Sequence, residues 1–203
     1  MAVNSSFRNM KEGLVVICLV CSSLLAGVYA LTAEPIAAAA AAKNEAAIME
    51  VLPDSAAQIE EVRTVEMDGQ TYEYNLAYDE QGNTVGCAIN VAPVGFGGPI
   101  AIKVGFDVNG NIWNTKVLSQ AETPGLGAKC VEPAFADQFR EFDAQEKKLG
   151  VKKDGGDVDS ITASTITSRA YTDGLALAVK VFQTIGQTPM LLDVIPSDVE
   201  GTK

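Results

Sequence analysis

A chain of 203 residues with 47% apolar content has room for one ordinary domain plus an appendage, and enough apolar mass for a real core. Its formal net charge of −11, without any cluster of Lys or Arg, sets nucleic acid aside as a partner, because phosphate binding needs a basic footprint. The complete absence of histidine removes His-based triads, most His-liganded zinc sites and the usual axial ligand of haem, so any chemistry here uses another device.

Residues 13–31, GLVVICLVCSSLLAGVYAL, run without a charge. As a helix they would span roughly 28 Å, about the hydrocarbon thickness of a bilayer. Arg8 and Lys11 precede the run and Glu34 follows it. The positive-inside rule then leaves residues 1–12 cytoplasmic and sends 32–203 outside, as a single-pass protein of the cell membrane. A cleaved signal peptide is the other reading, with Val28-Tyr29-Ala30 suited to a signal peptidase. Cys21 is a poor lipoprotein site, since Val20 stands where a small residue is wanted.

Residues 32–53 read as a helical stalk, with Pro35 at a helix start, six consecutive alanines and Pro53 as a stop. Alanine has the highest helix propensity, and Ile48, Val51 and Leu52 give the segment one apolar edge. A disordered low-complexity linker is the alternative.

From Val62 the period changes to that of strands. VRTVEM, TYEYNLAY, TVGCAINVA, IAIKVGFDV and IWNTKVLS are short and rich in β-branched and aromatic residues, separated by Asp68-Gly69, Gly82-Asn83 and Asn109-Gly110. They predict an antiparallel meander within a domain spanning 54–203. DVNGN at 107–111 has the opening of a calcium loop, but its glycine comes too early and the later acidic ligands are missing, so a type I′ hairpin turn is expected. EPAFADQFREF then reads as a short helix and KKDGGDVDSIT as loop and strand. The closing helix, TITSRAYTDGLALAVKVFQTI, carries Ile166, Ala170, Leu177 and Val181 on one face. The fold class is α+β: one transmembrane helix, a stalk, and a domain with an antiparallel sheet and flanking helices.

Cys18 and Cys21 lie in the apolar run, and Cys87 and Cys130 stand apart, so an iron–sulfur cluster bound by this chain alone is set aside. Whether Cys87 and Cys130 pair is left open by their spacing. Two glycine-rich stretches, GFGGPI at 95–100 and ETPGLGAK at 122–129, lack P-loop spacing and read singly as turns. The second invites a ligand more, since Pro124 stiffens it while Gly125 and Gly127 let backbone N–H groups approach without a Cβ in the way.

DSITASTITSRA, residues 159–170, opens the closing helix with Thr162, Ser164, Thr165, Thr167 and Ser168. One or two such hydroxyls serve as ordinary N-caps. A helix N-terminus is also where a phosphate is best received, held by hydrogen bonds or esterified to a hydroxyl.

Taken together, GFGGPI, VGFDVNGNI, VLSQAETPGLGAK, EPAFADQF and VKKDGGDVDSITASTITSRA resemble the FMN-binding domain shared by the G subunit of the Rnf ion-translocating electron-transfer complex and the C subunit of the sodium-pumping NADH:quinone reductase. The resemblance extends to the membrane helix and the stalk. It implies FMN joined through its phosphate to the Thr that closes an S/T-G-A-T motif, by a dedicated flavin transferase. Here that motif becomes Thr162-Ala163-Ser164-Thr165, followed by Ile166-Thr167-Ser168, so Thr165 is the implied attachment point; Ala163 and Ser164 depart from the pattern by small replacements. The resemblance further implies that Glu122, Thr123, Leu126 and Gly127 border the isoalloxazine ring and that Lys153 lies near it, where a cation would favour the reduced, anionic flavin. Thr162, Ser164, Ile166 and Thr167 complete the implied site.

The function so implied is an electron-transfer subunit of a membrane-bound complex, one that couples electron flow between ferredoxin and NAD to ion movement with other membrane subunits as partners. The short chain and compact spacing favour the Rnf subunit over that of the quinone reductase. Two other classes stay open: a membrane-tethered module holding FMN non-covalently, and a structural subunit whose flavin motif has decayed at Ala163 and Ser164.

Overall fold

The computed structural model describes residues 2–144 and 146–186. The final residues of the expected 54–203 domain therefore lie outside the described part. The chain divides after Asn44 into two compact units.

The first unit belongs to one helix, α1 (Ala2–Val51), long and apolar enough between Asn9 and Val51 to cross a membrane. Pro35 does not start a second helix; it lies inside α1. A proline there lacks the amide hydrogen that would reach the Leu31 carbonyl, a loss of one hydrogen bond that the flanking helix-forming residues outweigh. Two hydroxyls of this helix bond back to it: Ser23 Oγ donates to the Val20 carbonyl at 2.9 Å and Thr32 Oγ1 to the Val28 carbonyl at 2.8 Å. These two hydroxyl hydrogens are thereby paired without water, as an apolar surrounding requires.

The second unit, beginning at Glu45, holds an antiparallel sheet of β1 (Gln58–Ile59), β2 (Arg63–Met67), β3 (Gln70–Tyr78), β4 (Thr84–Val91), β5 (Ala101–Asp107) and β6 (Ile112–Ser119). The order is β1-β3-β4-β5-β6, with β2 pairing the other half of the same edge of β3. The expected meander is this sheet, and only the two-residue β1 has no counterpart in the sequence pattern. At the β2–β3 turn both Asp68 and Gly69 take positive φ, 54° and 75°. The β5–β6 loop is not type I′. Three residues separate Asp107 from Asn111, Gly110 alone takes positive φ at 85°, and Asp107 Oδ1 accepts from the amides of Asn109 and Asn111 at 2.9 and 2.8 Å. The extra loop residue excludes the two-residue turn and selects the longer, glycine-closed loop. DEQGN at 79–83 repeats the arrangement, with Asp79 Oδ1 accepting from Gln81 and Asn83.

After β6 come a 3₁₀ turn (Gly127–Val131), α2 (Pro133–Ala136), a 3₁₀ turn at Asp137–Phe139, another at Lys152–Asp154, and α3 (Thr165–Gly186). The expected helix over 132–142 is thus split into short pieces. The strand expected within KKDGGDVDSIT reduces to one parallel bridge between Val151 and Val158. Three consecutive small or acidic residues, Gly155-Gly156-Asp157, supply neither β-branched surface nor a facing strand there.

Alternation in the strands sends Leu76, Ile89, Val104 and Phe106 to one face, where α3 buries them with Tyr171, Leu175, Ala178 and Val181. Tyr171 stacks on Phe139 at 5.0 Å between centroids and meets Phe135 edge-on at 5.2 Å. The buried Tyr171 hydroxyl is paired with Thr115 Oγ1 at 2.9 Å. Each such side chain contributes about 1.5–3 kcal/mol by burial. Cys87 and Cys130 are both buried and unpaired; burial pushes the Cys130 thiol up to about 11 and that of Cys87 higher still, which keeps both protonated.

Candidate functional site

The start of α3 is built by side chains reaching back into the preceding turn. Ser164 N–H donates to the Ile161 carbonyl at 3.0 Å, closing a turn whose third residue, Ala163, has φ of +61°. That left-handed corner costs a Cβ-bearing residue about 1–2 kcal/mol. Ala163 is the position where the motif of the resembled family has glycine, and the corner is the physical reason glycine suits it. Ser168 holds the corner from inside: its hydroxyl accepts from Ile161 N–H and donates to the Ser164 carbonyl, both at 2.9 Å. The first helical amide to find an acceptor in the turn before is that of Ser168, bonded to the Ser164 carbonyl at 3.1 Å. Thr165, Ile166 and Thr167 therefore lead the helix with N–H groups that have no partner one turn back.

ETPGLG lies against this helix start. Leu126 and Ala128 amides both donate to the Thr123 carbonyl, curling the segment into the 3₁₀ turn at Gly127. Glu122 is buried at 5% exposure, and its carboxylate is shared between two neighbours. Oε2 accepts from Thr167 Oγ1 at 2.8 Å, and Oε1 accepts from Gly97 N–H at 2.9 Å in the β4–β5 loop. Gly127 also serves this junction: a Cβ there would come within 2.3 Å of Glu122 Oε2 and 2.6 Å of Thr167 Oγ1.

The three segments enclose a cavity of about 370 Å³ lined by Phe96, Glu122, Thr123, Leu126, Gly127, Ala163, Ser164, Thr165, Ile166 and Thr167. Its volume lies in the range of roughly 300–1,000 Å³ usual for small-molecule sites. Eight of the ten site residues expected from the sequence meet here: Glu122, Thr123, Leu126, Gly127, Ser164, Thr165, Ile166 and Thr167. Thr162 is exposed and lines a neighbouring hollow with Asp159, Ser160 and Ile161. Lys153 sits in the exposed 3₁₀ turn at 152–154, outside the cavity lining. In that turn Asp154 forms a two-point ion pair with Arg169 of α3, at 2.6 and 2.8 Å, and the guanidinium holds its carboxyl below the usual range.

Ile166 does not share the buried face of α3 with Ala170 and Val181, as its spacing suggests. It is 55% exposed and turns to the cavity, while Tyr171, Leu175 and Ala178 take the sheet-facing stripe. The helix begins at Thr165, so Ile166 falls in its first turn, beyond the edge of the sheet's apolar face. Phe96 joins the lining without any expectation from the sequence, though an aromatic between two glycines, in Gly95-Phe96-Gly97, is the signal that could have found it.

The slot has an apolar rim and ends at a hydroxyl-bearing helix start, and it falls within residues 95–180, which match the pattern of the FMN-binding domain family. A second pattern, the RnfG N-terminal region, matches residues 13–51. The chain is 35% identical over 189 residues to the G subunit of the ion-translocating oxidoreductase complex of Yersinia pestis, covering 87% of this chain and 88% of the relative. It is 31% identical over 159 residues to the G subunit of the Na(+)-translocating ferredoxin:NAD(+) oxidoreductase complex of Acetobacterium woodii, covering 71% and 76% of the two chains. Among solved structures it is similar to the C subunit of the Na(+)-translocating NADH-quinone reductase of Parabacteroides distasonis, at 22% identity and a TM-score of 0.49, over 64% of this chain and 79% of that one. The chain belongs to the family of G subunits of the ion-translocating oxidoreductase complexes.

Proposed function

We propose that this chain is the FMN-carrying electron-transfer subunit of an Rnf-type ion-translocating complex, anchored in the membrane by α1, with its flavin esterified to Thr165. The reading is supported most directly by one observation: the hydroxyl-rich helix start and the ETPGLG loop, far apart in the chain and joined by no local rule, line a single cavity.

The lining suits the group. Phe96, Leu126 and Ile166 offer an apolar rim for a flat conjugated ring, and the leading amides of α3 offer donors for a phosphate. FMN supplies reversible uptake and release of electrons, which no side chain of this histidine-free lining provides. The protein's part is to fix and shelter it. Thr165 stands at the first position of α3, half-exposed, where its hydroxyl is open to a flavin transferase. Ser168 and Ala163 hold the corner that presents it, and Thr167 is occupied by Glu122, which leaves Ser164 and Thr165 as the hydroxyl residues of this turn lining the cavity; Ser164 is buried at 8% exposure, and Thr165 is the more accessible of the two. The charge bias around residues 13–31 favours a domain on the outer side of the lipid bilayer, where a non-covalent cofactor would be diluted away and an ester retains it. Ferredoxin and NAD, named for the Acetobacterium woodii relative, are then substrates of the complex, reached through its other membrane subunits.

The test is to express the full-length chain with the flavin transferase, denature it, and read flavin fluorescence in the gel and the mass of one FMN less water in the intact protein. Thr165→Val abolishes both signals and Thr162→Val keeps them. Fluorescence that survives denaturation in Thr165→Val removes the attachment assignment; flavin that leaves the wild type on acid precipitation favours a non-covalent module.

A further inference from the structure

Phe96 sits on the β4–β5 loop with 70% of its surface exposed. Leu126 and Ile166, 41% and 55% exposed, face the same cavity. Leaving a ring of this size in water forgoes about 1.5–3 kcal/mol of burial, so its presence at a cavity mouth calls for an occupant. The loop that carries it is tied down on every side. Ile100 N–H donates to the Pro93 carbonyl at 2.8 Å, Gly95 N–H to the Gly98 carbonyl at 2.8 Å, and Gly97 N–H to Glu122 Oε1 at 2.9 Å. The other carboxylate oxygen of Glu122 accepts from Thr167, two residues beyond Thr165. Both oxygens of Glu122 thus already serve protein donors. A Cβ on Gly95 would come within 2.2 Å of Oε1, so the loop is pressed onto this carboxylate as closely as a backbone can be.

We propose that Phe96 forms one apolar face of the flavin slot, lying against the isoalloxazine ring, and that Glu122 acts as a positioning residue, clamping the Phe96 loop to the first turn of α3 so that this face stays in register with the Thr165 attachment point. The inference rests on the flavin reading above. An aromatic ring gains from offset stacking on a flat conjugated partner beyond the area it buries, and a ring on a pinned loop loses little freedom in doing so. Glu122, in this arrangement, shapes the slot without spending its charge on the cofactor.

The experiment uses the full-length flavinylated protein in detergent. Attached flavin is first counted after denaturation; its absence from the wild type would remove the flavin reading itself and this inference with it. In the folded protein, Phe96→Ala should leave the count unchanged and raise quenching of flavin emission by iodide roughly twofold, as one face of two is uncovered. Phe96→Leu should restore much of the shielding, and Phe96→Trp should dim the emission by bringing an electron-rich indole against the ring. Glu122→Ala should copy Phe96→Ala, whereas Glu122→Gln, which can still accept from Gly97 and meet Thr167, should stay near wild type. Unchanged iodide access in Phe96→Ala together with unchanged emission in Phe96→Trp overturns the stacking assignment. Wild-type shielding in Glu122→Ala overturns the clamp.

Discussion

The two faces of the sheet are buried by opposite means. The face toward α3 is filled by bulk: Ile89, Val104 and Phe106 from the strands meet Tyr171, Leu175 and the Phe135–Phe139 pair. The other face has small residues where the helix meets it, with Ala77 and Ala88 as its floor and Gly105 between β4 and β6, and the backbone of the last turn of α1 lies directly on that patch. A Cβ on Gly105 would stand 1.8 Å from the Val51 carbonyl oxygen. Polar contacts finish that junction: Asn114 Nδ2 donates to the Glu50 carbonyl at 3.0 Å, satisfying a helix-end acceptor, and Lys116 pairs with the Glu50 carboxylate at 2.7 Å. One face is stable because it is full, the other because it is empty enough to admit a helix end.

The contrast breaks most severely on the filled side. Phe139→Ala leaves a cavity beneath Tyr171 and should cost about 3–5 kcal/mol in denaturant unfolding of the detergent-solubilised chain. On the other side the harmful change is an addition: Gly105→Ala should cost about 1–3 kcal/mol by pushing the α1 end away, while the flavin slot at the start of α3 keeps its fluorescence properties. The smallest effect sharpens the comparison with the opposite sign. Lys103 alternates onto this second face beside Asn90 and Lys116, is fully buried, and among the described residues its Nζ has no hydrogen-bond partner. Burial lowers its pKa from 10.5 to about 8, against a weaker pull upward from Glu73. Between those values the unfolded chain holds the proton that the folded chain has released, so this group adds stability as pH rises from about 8 toward 10.5 and loses it as pH falls back. Lys103→Met should raise stability at pH 7 and remove that slope from the difference between wild-type and variant melting curves. Equal slopes in the two proteins would show that Lys103 does not titrate in this window.

Much of the domain was legible from local pattern. The strand segments follow the period-two alternation of their β-branched and aromatic residues, and α3 starts where the hydroxyl run predicts, at Thr165. Expectation and structure part where local pattern is silent or divided. Pro35 carries a helix-start signal that long helical flanks override, and the Asp107 loop carries an Asn-Gly pair whose turn type depends on a loop length fixed by the β5–β6 register. Alternation puts Lys103 on the face opposite Val104 and says nothing about how deeply that face is buried.

The sequence by itself determined the apolar helix, the five strands from β2 to β6, and a cluster of hydroxyls opening the last helix, because each of these depends on residues within a turn or a strand of one another. The slot was decided only by tertiary structure. Gly97 meets Glu122 across 25 positions and Glu122 meets Thr167 across 45, so the junction that joins two glycine loops to the Thr165 turn exists only once the sheet and α3 have packed. That packing also turned Ile166 from the core to the cavity and set Phe96 at its mouth, since the line along which α3 crosses the sheet, and not the order of residues within it, divides what is buried from what is left for a ligand.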